Sequence, residues 1–131
     1  MRLLTSFLLL SCLWLSSCTI VGTEDEQTTN MRKELIHRAV RDHANEIGKC
    51  YSYEATKDPK FSTKILMEWE IDSEGHPQKI TATTVEPNKN PETFNKCLVD
   101  VFTEITFPPS TKGQEMKVKF PLMFSPEGSK K

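Results

Sequence analysis

Five glycines in 131 residues, none near another, leave this chain without a glycine-rich loop of the kind that cradles a phosphate. Nucleophile-elbow and Cys-x-x-Cys patterns are missing too, and with them the common signatures of hydrolytic and redox chemistry. Neither sign of charge dominates. Seventeen Lys and Arg stand against 18 Asp and Glu, a formal net charge of -1, so there is no basic field to attract nucleic acid. No apolar run reaches the roughly 20 residues that span a bilayer as a helix. Beyond Cys18 every apolar segment is short and bounded by charged residues, which predicts a water-soluble body.

What is present begins at the N-terminus. Arg2, an apolar run from Leu3 to Leu15 and the sequence Leu15-Ser16-Ser17-Cys18 follow one another as the basic, hydrophobic and small-residue parts of an export signal. The closing cysteine marks it as a bacterial lipoprotein signal. A spanning anchor or an ordinary cleaved signal are the alternatives, and a run of about a dozen residues is short for the first of these. The Cys18 thiol would then accept a diacylglycerol, cleavage would remove residues 1–17, and Cys18 would become the acylated first residue. Two or three acyl chains, at roughly 0.8 kcal/mol per buried methylene, hold a protein on a membrane almost permanently. Thr19, where an Asp would favour retention in the inner membrane, points to the periplasmic face of the outer membrane.

About 114 residues would remain, enough for one domain with a modest core. Of the four cysteines, Cys12 lies in the signal and Cys18 takes the lipid, leaving Cys50 and Cys97 in an oxidising compartment. A disulfide is the simplest reading; two buried free thiols or half of a metal site are the alternatives. Residues 18–30 are polar and acidic and read as a flexible tether, 31–126 as the folded domain and 127–131 as a polar tail.

Within the domain, Ile36, Val40, Ile47 and Cys50 recur at helical spacing and predict one amphipathic helix from about Met31 to Glu54, capped by Asn30. Thr63 to Ile71 alternates, with Ile65, Met67, Trp69 and Ile71 on one side and Lys64, Leu66, Glu68 and Glu70 on the other, as a half-buried strand does. Asp72-Ser73-Glu74-Gly75 is a turn, and Gln78 to Val85 is rich in β-branched residues, so a hairpin is predicted. A second helix follows Asn90-Pro91, with Phe94, Cys97, Leu98, Val101, Phe102 and Ile105 as its apolar stripe. Glu115 to Phe124 alternates again, Lys117 and Lys119 lying opposite Met116, Val118, Phe120, Leu122 and Phe124. The expected fold is α+β: a three-stranded antiparallel sheet, order helix-strand-strand-helix-strand, with two helices on one face. A right-handed crossover brings the last strand beside the first, which becomes central, with Glu68 and Glu70 facing Lys117 and Lys119.

Ile47-Gly48-Lys49-Cys50-Tyr51, Trp69-Glu70-Ile71-Asp72-Ser73-Glu74-Gly75, Phe94-Asn95-Lys96-Cys97, Phe107-Pro108 and Val118-Lys119-Phe120-Pro121-Leu122-Met123-Phe124, in that order, resemble the AgmX/PglI C-terminal domain family and more broadly the TonB C-terminal-like fold. The resemblance covers nearly all of Met31 to Phe124. It implies a small periplasmic interaction domain without catalytic activity, its two helical cysteines bridged. TonB-type proteins also carry an inner-membrane helix and a long proline-rich spacer; this chain shows neither, so energy transduction is not expected of it.

Chemistry-bearing residues do not converge in the sequence. His37, His43 and His76 share no ligand spacing, and Glu68 with Glu70 reads as a pair of surface ion-pair partners rather than an acid and a base. No cofactor, metal or enzymatic activity is expected. Trp69 reads as core, while Tyr51 and Tyr53 fit either core or surface. The remaining candidate is backbone: an edge strand formed by Glu115, Met116, Lys117, Val118, Lys119 and Phe120 would accept an extended segment of an envelope protein, or of a second copy, with Pro121 as its limit. Such a protein would serve a motility, secretion or transport complex; a structural envelope lipoprotein contacting peptidoglycan is the alternative.

Overall fold

The computed structural model describes residues 24–85, 90–110 and 115–126, with side chains from Thr29 onward. Cys18, the expected lipid acceptor, lies outside the described residues. Six elements follow in order: α1 (Glu24–Asp42), α2 (Ala44–Lys57), β1 (Thr63–Ile71), β2 (Pro77–Thr84), α3 (Glu92–Thr103) and β3 (Met116–Phe124). The sheet is antiparallel with strand order β2-β1-β3, so the first strand is central, as its alternation and charges predict.

The first helical segment departs from expectation at both ends of its first half. α1 begins at Glu24, so residues 24–30, read as tether, are helical, and Asn30 lies inside the helix instead of capping it. The helix then breaks at His43, whose backbone (φ -102°, ψ 16°) leaves helical geometry. Its amide turns to the carbonyl of Val40 at 3.1 Å. Its ring Nδ1 meanwhile lies 2.9 Å from the Ala39 carbonyl oxygen, taking the acceptor the helical amide would have used. One predicted helix is therefore two.

α3 starts one residue later than its sequence suggests. Pro91, at extended φ -57° and ψ 136°, is the N-cap, and its carbonyl accepts from the amides of Phe94 (3.0 Å) and Asn95 (3.3 Å). Asn90 caps no backbone; its Nδ2 donates to Asn95 Oδ1 at 3.2 Å.

All three helices pack on one face of the sheet. Ile65, Met67, Trp69 and Ile71 of β1 are buried against Phe94, Leu98 and Phe102 of α3 and Ile36, Val40, Ile47 and Cys50 of α1 and α2. Each such side chain contributes roughly 1.5–3 kcal/mol when fully buried. Cys50 and Cys97 are bridged, Cα atoms 5.8 Å apart, tying α2 to α3 over the sheet. Buried Glu54 reinforces that junction: its carboxylate accepts from Thr93 Oγ1 at 3.3 Å and from Lys57 Nζ at 3.4 Å.

Candidate functional site

β3 has β1 on one side, and among the described residues no strand pairs with its other edge. Which backbone groups face that edge follows from one hydrogen bond. The Lys64 carbonyl accepts from the Val85 amide at 2.8 Å, so the even-numbered residues of β1 turn their backbone toward β2 and the odd-numbered ones toward β3. Ile65, Met67, Trp69 and Ile71 pair with Leu122, Phe120, Val118 and Met116, which must therefore face β1. Lys117, Lys119, Pro121 and Met123 then turn theirs outward. Lys117 and Lys119 each present one N–H and one C=O there. Pro121 has no N–H to present, which explains how a proline sits inside β3 without breaking the sheet and why it limits the receptive stretch.

Side chains around this edge are arranged in two layers. On the open face of the sheet Lys119 Nζ lies 2.7 Å from Glu68 Oε1 and Lys117 Nζ 3.7 Å from Glu70 Oε1, the cross-strand pairs that the register sets opposite each other. Glu70 is held from the other side by Lys79, Nζ to Oε2 2.6 Å, and Lys79 also reaches Glu115 at 3.6 Å. The Lys79 hydrogen bond is the chief reason the Glu70 carboxyl titrates below its usual value, the charges of Lys79 and Lys117 adding to it. Lys79 gains its reach from a bulge: β2 has an extra residue between its pairings with Glu68 and Glu70, and Lys79 adopts φ +52°, uncommon for a residue with a Cβ.

On the other face, β3 lies under α1. The His37 ring sits 4.8 Å from that of Phe120, and Arg32 Nη1 lies 3.8 Å from Met116 Sδ. Met116, Val118, Phe120, Leu122 and Phe124 are only half-buried, so apolar surface continues to the edge. The sequence shows the edge but not which helix covers it: Arg32 and His37 belong to the one helix expected over 31–54, and the break at His43 makes α1 a separate element over β3. Met123, 79% exposed on the open face, was likewise not singled out.

The other candidates are placed in the scaffold. Trp69 is buried, edge-on to Phe102 at 5.2 Å. Tyr51 stacks on Phe61 and Phe124 and donates its hydroxyl to the Phe61 carbonyl at 3.0 Å, whereas Tyr53 is exposed beneath the Lys57 ammonium. His76 stands beside Asp72 and Glu74 in the hairpin turn, far along the chain from His37 and His43. Among the described residues no cluster of three or more His, Cys, Asp or Glu could hold a metal ion, and no helix is long and apolar enough to cross a membrane. An open groove of about 570 Å³ runs between α2 and α3, lined by His43, Glu46, Lys96, Asp100 and Glu104 with Cys97 in its wall. Lys96 and Asp100 pair there at 2.9 Å. Comparison with family models, with curated proteins and with solved structures finds no match to this chain.

Proposed function

We propose that this protein is a noncatalytic, lipid-anchored component of the bacterial cell envelope, held through Cys18 at the periplasmic face of the outer membrane, whose TonB-like domain docks another envelope protein by strand addition to β3. The observation that carries this reading is the open edge itself. Lys117 and Lys119 offer backbone donors and acceptors in a row, beside half-buried apolar side chains. An added strand satisfies those groups and covers that surface, the two gains that make sheet edges into peptide sites. The disulfide and the packed core hold the edge rigid, so little ordering cost falls on the receptor side.

In-cell photo-crosslinking from a probe at position 119, followed by mass spectrometry, tests this. Capture of one discrete envelope protein, lost when the probe is moved to exposed Lys49 on α2, is the expected result. Equal labelling from both positions, or none from position 119, overturns it.

A further inference from the structure

The open face of the sheet carries a charge order that stops at the edge. Reading across from β2, Lys79, Glu70 and Lys117 form one row, plus, minus, plus, and Glu68 and Lys119 form the next, minus then plus. Both rows end on a lysine at the outermost strand, and both side chains are well exposed, 82% and 72% for Lys117 and Lys119. Directly opposed residues on neighbouring strands feel each other's charge strongly enough to discriminate partners.

We propose that the segment docking on β3 is acidic at alternate positions, of the form acidic-apolar-acidic, with its two carboxylates opposite Lys117 and Lys119. This deepens the docking reading given above and rests on it. Both acidic side chains would lie on the open face, continuing each row with the missing minus. The residue between them would point to the opposite face, beside half-buried Val118 and Phe120 and under α1, where an apolar side chain is required. A second copy of β3 meets this requirement poorly: two-fold pairing centred on Val118 sets Lys117 against the partner copy's lysine, like charges opposed. Lys117 and Lys119 therefore act as selectors as well as ion-pair partners within the sheet.

The test uses the full chain in detergent and two synthetic peptides, Thr-Val-Glu-Val-Glu-Val-Thr and Thr-Val-Lys-Val-Lys-Val-Thr, titrated while the amide resonances of Lys117 and Lys119 are followed by NMR. The expected result is binding of the glutamate peptide roughly tenfold tighter than the lysine peptide, two opposed pairs contributing together. That preference should vanish in Lys117→Gln with Lys119→Gln, a variant whose far-UV circular dichroism should match the parent. Equal binding of both peptides overturns the charge selection while leaving the docking reading in place. Failure of both peptides to shift either amide overturns the docking reading itself. A chain that sediments as a dimer, with these amides already protected from solvent exchange, overturns the inference in favour of self-pairing.

Discussion

The carbonyl oxygen of Phe107 occupies the space into which any side chain at Gly75 would project. Gly75 closes the β1–β2 turn at φ +90°, a conformation only glycine adopts cheaply, and its own carbonyl accepts from the Phe107 amide at 2.9 Å. Ser110 donates its amide to the Asp72 carbonyl at 3.0 Å beside it. The hairpin turn is thus docked on the loop between α3 and β3, which fixes where β3 enters the sheet.

Gly75→Ala should lower stability by roughly 2–3 kcal/mol, combining an unfavourable φ with displacement of a backbone that cannot move alone. Chemical denaturation followed by Trp69 fluorescence measures it. A loss within about 0.5 kcal/mol, the range of ordinary surface substitutions, would show that the turn does not bear on the loop.

Removing the disulfide by Cys50→Ala with Cys97→Ala frees a loop spanning 47 positions in the unfolded chain. The expected cost is up to ~4 kcal/mol by loop entropy. Thiol titration of the denatured, unreduced protein should find neither cysteine free. Calorimetry of the variant should show a lower Tm.

Asp72 supplies an acid-side pH dependence. Its Oδ1 accepts from the amides of His76 and Glu74, each at 2.9 Å. The His76 amide is the main reason its carboxyl titrates below the usual 3.8, the Glu74 amide adding to it while partial burial opposes. Stability from this group is present above the unfolded value and is lost as pH falls through the lower folded value. Asp72→Asn should therefore flatten the stability curve below about pH 4. An unchanged acid limb would remove Asp72 from the account.

Lys79 acts at the other end of the pH scale. The hydrogen bond to Glu70 raises its ammonium above the usual 10.5, the Glu115 charge contributing next. Its contribution is present below the unfolded value and lost as pH rises through the higher folded one. Lys79→Gly removes the ion pair and at the same time relieves φ +52°. These oppose each other, so Lys79→Ala, which loses the ion pair and keeps the strain, should destabilise more than Lys79→Gly. The reverse order in urea denaturation would overturn the assignment of strain.

Charge placement around the edge was readable in advance because strand alternation and pairing are local rules applied twice. Once β1 and β3 alternate and β1 is central, Glu68 and Glu70 must face Lys119 and Lys117, and they do. The apolar period likewise gave α3 its stripe through Phe94, Leu98 and Phe102. The His43 break was not readable, since it turns on one ring nitrogen competing for the Ala39 carbonyl. Nor was α1 beginning at Glu24, where an acidic run fits both a solvated tether and the first turn of a helix.

Sequence by itself determined the three strands and α3, the central place of β1, and the pairing partner of Cys50 once export is granted. Those properties rest on short-range spacing and on which residue types exist in the chain. Tertiary structure alone decided that α1 roofs β3, that Gly75 meets Phe107, and that Lys79 swings over Glu70 through a bulge. Each of these joins segments far apart in the chain, where the outcome depends on the exact path of the backbone, and a path is a property of the packed whole that no local pattern encodes.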